Sequence, residues 1–217
     1  MRIGINGFGR IGRIAARAAL GGVDGTNARL EIAHINEVKG GATTAAHLLE
    51  FDSVHGRFPG TITVDGDTID AGQGPVRVSA ERDPEALDWS DIDVVLECTG
   101  LFTDRDAAAR HLKNGARRVL VSAPAKGADR TVVYGVNHDS LTAGDIVVSN
   151  GSCTTNCLAP LAKVLHEAVG ITRGFMTTVH SYTGDQPTLD RMHKDLYRAR
   201  GAGLNIIPTT TGAARAV

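Results

Sequence analysis

Gly7-Phe8-Gly9-Arg10-Ile11-Gly12 decides the fold of this chain. The G-x-G-x-x-G pattern alone is weak, because glycine-rich turns are common. Its flanks give it meaning: a short apolar run, residues 3–6, leads in, and a helical pattern rich in alanine and arginine, residues 11–20, leads out. Between a strand and a helix, the first glycine allows the tight turn. The second lets a pyrophosphate approach the backbone, and the third lets helix and strand pack closely. The phosphates are expected at the helix N-terminus, where N–H groups are unpaired. The next strand-like run, residues 30–36, ends at Asn36-Glu37, where an acidic side chain is placed to hold ribose hydroxyls. Glu37 favours NAD over NADP, since a carboxylate repels a 2′-phosphate. The competing reading is a structural glycine turn beside a solvated glutamate.

Working outward, short apolar runs at 94–100, 119–123, 132–136 and 146–149 alternate with helical patterns. Near-continuous apolar strands of this kind are buried on both faces, as in a parallel sheet. Residues 103–114 read as a helix, with Thr103 and Asp106 as a capping pair and Gly115 as its stop. The alternation predicts an α/β fold, a Rossmann-like doubly wound and mostly parallel sheet. Residues 58–78 alternate around Asp65-Gly66-Asp67 and read as a hairpin excursion. The composition shifts after Ser149. The expected division is a dinucleotide-binding domain over 1–150 and the start of an α+β catalytic domain over 151–217.

Of the 217 residues, 42 % are hydrophobic, enough for one large or two small domains. The net charge of −1 gives no basic surface for nucleic acid and no polybasic run for anionic lipid. No apolar run approaches the roughly 20 residues that span a bilayer. Met1 runs directly into the first strand with no signal-peptide pattern. The only cysteines are Cys98, Cys153 and Cys157, an odd and low count that suits a reducing compartment, so a cytoplasmic setting is expected. No cluster offers enough ligands for a metal.

The chemistry concentrates in Asn150-Gly151-Ser152-Cys153-Thr154-Thr155-Asn156-Cys157. A valine-rich run precedes it and a helical run, residues 158–169, follows, so Cys153 stands where a strand hands over to a helix. Unpaired N–H groups there push a thiol toward thiolate, the reactive form. Cys98 and Cys157 read as small buried hydrophobes. Residues 176–185 run from apolar to polar, like a strand leaving a core, and carry His180. A histidine so placed is more often a surface or capping residue than a base, and spacing alone does not join it to Cys153.

Taken together, Ser152-Cys153-Thr154-Thr155-Asn156-Cys157, the glycine fingerprint and residues 177–185 resemble phosphorylating glyceraldehyde-3-phosphate dehydrogenase of type I. Asp52-Ser53-Val54-His55-Gly56, Ser122-Ala123-Pro124 and Pro208-Thr209-Thr210-Thr211-Gly212-Ala213-Ala214 extend the resemblance along the whole chain. It implies Cys153 as nucleophile and His180 as general base, with NAD as cofactor. Gly7, Gly9, Arg10, Ile11, Gly12, Glu37, Arg82 and Ser122 match the family's cofactor positions. For the substrates, glyceraldehyde 3-phosphate and inorganic phosphate, it implies one anion site at Ser152, Thr154, Thr211 and Gly212. Thr183, Asp185 and Arg198 would help form the other. Residues 185–203 are similar to the loop that joins subunits in a homotetramer.

The resemblance also implies a longer protein, by about half this length again. The missing part would carry the rest of the catalytic sheet, a second phosphate-binding arginine and an asparagine that orients the nicotinamide. A 217-residue piece alone is therefore expected to show no turnover, and a non-catalytic NAD-binding fragment is one alternative. Glu37, where glycolytic members usually carry Asp, and the stretch around Lys39-Gly40-Gly41 are similar to a subgroup associated with arsenate resistance. Erythrose-4-phosphate dehydrogenase also carries Glu there, but Tyr182-Thr183-Gly184-Asp185 and Thr210-Thr211-Gly212 resemble the glyceraldehyde type. Arg191-Met192 replaces a common Leu-Pro, which leaves NADP open.

Overall fold

The computed structural model describes residues 1–21 and 30–211. They fall into two compact units, Met1–Ser152 and a second that begins at Cys153.

In the first unit, β1 (Arg2–Asn6) leads through the glycine turn into α1 (Arg10–Gly21), then β2 (Glu31–Asn36) and α2 (Gly41–Glu50). A small antiparallel pair follows, β3 (Phe51–Asp52) with β4 (Gly56–Arg57). Next come β5 (Thr63–Asp65), β6 (Thr68–Asp70), β7 (Pro75–Ser79), β8 (Val94–Glu97), α3 (Arg105–Ala108), β9 (Arg118–Val121), β10 (Arg130–Thr131) and β11 (Val147–Ser149). Among the described residues, nine strands form one sheet in the order β10-β11-β9-β8-β1-β2-β7-β6-β5. From β10 to β7 every pairing is parallel; β6 and β5 add an antiparallel edge. The chain thus builds outward in one direction from β1 through β2, and in the other from β8 through β9. The doubly wound expectation holds, and the switch point lies between β1 and β8.

Apolar strands form because both faces are covered. Ile5, Val95 and Val147 are fully buried, and Ile35, Val119 and Val121 nearly so. The turn after β1 needs its glycines. Gly7 has φ +92°, and a Cβ there would lie 2.7 Å from the Thr99 nitrogen. A Cβ on Gly12 would lie 2.2 Å from the Gly7 carbonyl oxygen, so α1 rests backbone to backbone on the turn.

Four local expectations change. Residues 58–78 do hold a hairpin, but β7 pairs with β2, so the segment extends the main sheet rather than leaving it. Residues 132–136 form no strand; pairing stops at Thr131 and a turn follows, in which the Val133 N–H is taken by the Asn137 side chain. The helix over 103–114 is a short α-turn continued as a 3₁₀ helix, Ala109–Asn114. Its cap is Asp104, accepting the Ala107 N–H at 2.9 Å, so the expected pair of Thr103 and Asp106 is displaced by one residue; Gly115 does end it. Cys157 is exposed, and Cys98 is half-buried.

Asp129 ties the far side of the sheet together. Its carboxylate accepts the N–H groups of Ile146 and Val147 and the Arg105 Nε. Chiefly through the Val147 N–H and Arg105, its pKa falls to about 2. A carboxylate held below its unfolded value stabilises the fold above pH 4, and that contribution is lost as pH falls through the folded value. We expect Asp129→Asn to lower stability at pH 7 by about 1–2 kcal/mol, a partly exposed charge-assisted bond. The gap from wild type should close between pH 4 and about 2 in denaturant midpoints.

The second unit contains α4 (Cys153–Val169) and, among the described residues, no strand. Thr155 and Ala159 are its buried positions. Cys157 lies about 200° around the helix from Thr155, which explains its exposure. Residues 176–183 belong to no helix or strand, 184–185 form a turn, and Val179 is fully exposed, so the expected strand is not formed. No described helix is long and apolar enough to cross a membrane, and no described cluster could hold a metal.

Candidate active site

A cleft of about 270 Å³ opens at the C-terminal ends of the central strands. Asn6, Gly7 and Gly9 line it from the glycine turn, with Asn36 and Glu37 from the end of β2, and Arg82, Thr99 and Phe102 opposite. A Cβ on Gly9 would meet nothing within 4 Å, so the turn presents open backbone to the cleft. Glu37 Oε2 accepts the Phe8 N–H at 2.9 Å and Oε1 the Lys39 N–H at 3.3 Å, so the carboxylate is fastened to the turn.

Beneath the cleft runs a polar row that sequence reading missed. Ser79 pairs with Asn36, Asn36 with Asn6, and Asn6 with Glu97, one register step across four parallel strands. Each closes an apolar run at the same strand end, and that shared phase is the signal that was there to be read. The Asn36 amide donates to Asn6 Oδ1 at 2.8 Å, and the Ser79 hydroxyl donates to Asn36 Oδ1 at 2.9 Å. His34, buried beside Arg77, accordingly has its pKa lowered to about 4, burial being the larger cause.

The other expected cofactor positions divide. Arg82 lines the cleft, while Ile11 is exposed on the first turn of α1. Arg10 is ion-paired with buried Asp52. Ser122 is not among the lining residues; its N–H donates to the Glu97 carbonyl at 3.0 Å. Cys98, pushed up to about 11 by burial, is an unreactive thiol at the cleft wall.

The second unit carries the candidate nucleophile. Cys153 is the first residue of α4, and its Sγ lies 3.0 Å from His180 Nε2. His180 Nδ1 is 2.6 Å from the Ser181 carbonyl oxygen, which can only accept. Nδ1 therefore carries the hydrogen, and Nε2 faces the thiol as the acceptor of its proton. Partial burial pushes the Cys153 thiol up, but the His180 bond and charge, with the Thr154 N–H and hydroxyl, outweigh it and hold the thiol below its ordinary value. His180 is raised in turn, first by the Ser181 carbonyl and then by Cys153. Both shifts run in the direction that favours a thiolate–imidazolium pair.

Of the expected anion-site residues, Thr154 is thus engaged with the thiol. Asp185 and Arg198 meet at 3.2 Å, and Arg198 also reaches Asp195 and the Thr209 hydroxyl. Thr183 is held through its N–H and hydroxyl by Gln186 Oε1, at 2.9 and 3.2 Å, a partner the sequence reading missed although the three-residue spacing allows it. Ser152 is half-buried, Thr211 is exposed, and Gly212 lies outside the described residues.

Residues 1–105 match the family described as glyceraldehyde 3-phosphate dehydrogenase, NAD binding domain, and residues 152–217 match the same enzyme's C-terminal domain. The chain is 63 % identical over its full length to glyceraldehyde-3-phosphate dehydrogenase of Cereibacter sphaeroides. It is 62 % identical to that of Xanthobacter flavus and 55 % to that of Geobacillus stearothermophilus. The chain belongs to the glyceraldehyde-3-phosphate dehydrogenase family. It covers 64 % of the length of each of these relatives. The cleft and glycine turn fall within the part matched to the family's NAD-binding domain, and Cys153 and His180 within the part matched to its C-terminal domain.

Proposed function

We propose that the protein oxidises D-glyceraldehyde 3-phosphate to 1,3-bisphosphoglycerate with inorganic phosphate and reduction of NAD. The observation that carries this is the Cys153–His180 pair, 3.0 Å apart with the imidazole oriented by a carbonyl. The cleft suits NAD: open backbone at Gly9 and the α1 N-terminus for the pyrophosphate, and Glu37 for ribose hydroxyls. Bound there, NAD supplies the hydride acceptor.

The chain's own groups do the rest. Cys153 thiolate attacks the aldehyde carbon and forms a thiohemiacetal. The Cys153 N–H at the start of α4 and protonated His180 stabilise the oxyanion, and His180 gives it its proton. Neutral His180 then takes that hydroxyl proton as the hydride leaves the carbon for the acceptor and the carbonyl re-forms, leaving a thioester on Cys153. Inorganic phosphate attacks that carbonyl, and the thiolate departs. Ser152, Thr154, Thr211 and Gly212 are assigned to one phosphate, and Thr183, Asp185 and Arg198 to the other; hydroxyl and N–H donors suit such a cradle without burying excess charge. The same reading places the reaction in glycolysis or gluconeogenesis, in the cytoplasm, in a homotetramer, with the cofactor domain over 1–150 and the catalytic domain from 151.

The test is NADH formation by the protein made from the whole reading frame. We expect turnover that requires phosphate and prefers glyceraldehyde 3-phosphate. Preference for erythrose 4-phosphate overturns the substrate, and absence of NADH formation on either aldehyde overturns the activity. Arsenate supporting turnover while phosphate does not moves the protein to the arsenate-associated role.

A further inference from the structure

The polar row beneath the cleft has a hub at Glu97, which is 1 % exposed. Its Oε1 accepts the Thr99 N–H at 2.8 Å and the Thr99 hydroxyl; its Oε2 accepts the Asn6 amide at 2.6 Å and lies 3.0 Å from His111 Nε2. The Trp89 indole N–H, which can only donate, sits 3.0 Å from His111 Nδ1. Nδ1 is therefore the acceptor, and Nε2 carries the hydrogen that His111 gives to Glu97. Four donors converge on two oxygens, the pattern of a carboxylate. Trp89 and His111 are fully buried, so this charge is aimed from a dry side and spent on the wet one.

A buried carboxylate is costly even when paired, and an apolar side chain would serve stability at least as well. What Glu97 holds is the cleft. Asn6 and Thr99 are both lining residues, and Asn6 passes its orientation to Asn36, which lines the cleft as well.

We propose that Glu97 is a positioning residue of the dinucleotide cleft: aimed by Trp89 and His111, its carboxylate fixes Asn6 and Thr99 in the arrangement that receives the cofactor. This rests on reading the cleft as the NAD site. Removing the carboxylate leaves the fold but loosens the cleft floor, so cofactor affinity falls.

The test titrates ADP-ribose into the full-length protein by calorimetry, a probe that keeps the pyrophosphate and riboses and lacks nicotinamide. Glu97→Gln puts an amide donor among donors and should weaken binding about tenfold or more. Thr99→Val should weaken it as well, and Thr99→Ser should restore it. Glu97→Gln with Thr99→Val should bind no worse than Glu97→Gln alone, since both remove one interaction. Trp89 is the chain's only tryptophan, and unchanged emission certifies native packing. Wild-type affinity in Glu97→Gln at native emission overturns the proposal, as do additive losses. If that variant fails to fold, wild-type affinity in Thr99→Val overturns it instead. A wild-type protein that does not bind ADP-ribose sinks the NAD reading itself.

Discussion

Cys153→Ser is expected to lower phosphate-dependent NADH formation by a factor on the order of 10⁴ or more, the scale on which nucleophile removal acts elsewhere. The reason is the acid–base match. His180 lies 3.0 Å from the thiol and holds it below its ordinary value, so the Cys153 thiolate forms more readily than that of a free cysteine. A serine hydroxyl is far less acidic, and the same imidazole cannot ionise it in the ground state. The check is intact-mass detection of the acyl-enzyme alongside the steady-state rate. The variant should carry no acyl group and should still bind ADP-ribose, whose proposed cleft belongs to the first unit. Retention of a phosphate-dependent burst would remove Cys153 from its role.

His180→Asn is expected to cost about 10²–10⁴-fold in kcat, the usual contribution of a positioned general base. It also has a signature independent of turnover. At Cys153 the first influence is burial, which pushes the thiol up; the net lowering depends on His180, through its hydrogen bond and its charge, with Thr154 adding to it. Without the imidazole, burial prevails and the thiolate forms at higher pH. The inflection in the rate of iodoacetamide alkylation against pH should therefore move up in His180→Asn. An unchanged inflection would show that the helix start and Thr154 alone activate the thiol.

The features legible in the sequence are those where one residue type answers one local demand. Gly7 and Gly12 answer a left-handed turn and a 2.2 Å clash, so the fingerprint placed β1, the turn and α1 correctly. Cys153 was legible because strand and helix patterns meet there. His180 was not, because it lies 27 residues on, past α4 and a stretch of irregular chain, and no periodicity records that path. Residues 132–136 look like a strand because valines fit strands, yet the partner edge ends at Thr131 and the Asn137 side chain takes the Val133 N–H instead. Asp104 displaced Thr103 as the cap because a carboxylate in extended backbone reached the Ala107 N–H. The strand expected around His180 failed for want of a ladder partner, which propensity cannot supply.

The row Ser79–Asn36–Asn6–Glu97 has a consequence for how the sheet assembles. Side chains alternate faces along a strand, so a slip by one residue turns each strand's pattern over. For β1, it would carry Asn6 off its partners and set Ile5 among them. Asn36 and Glu97 would then each lose the bond they share with Asn6, at about 1–3 kcal/mol for each buried group left short. An all-valine sheet has no such penalty and can settle one notch out of place. Here the four polar residues work as a key cut to a single position, so the chain that can bind a dinucleotide is also the chain whose strands have found their correct alignment.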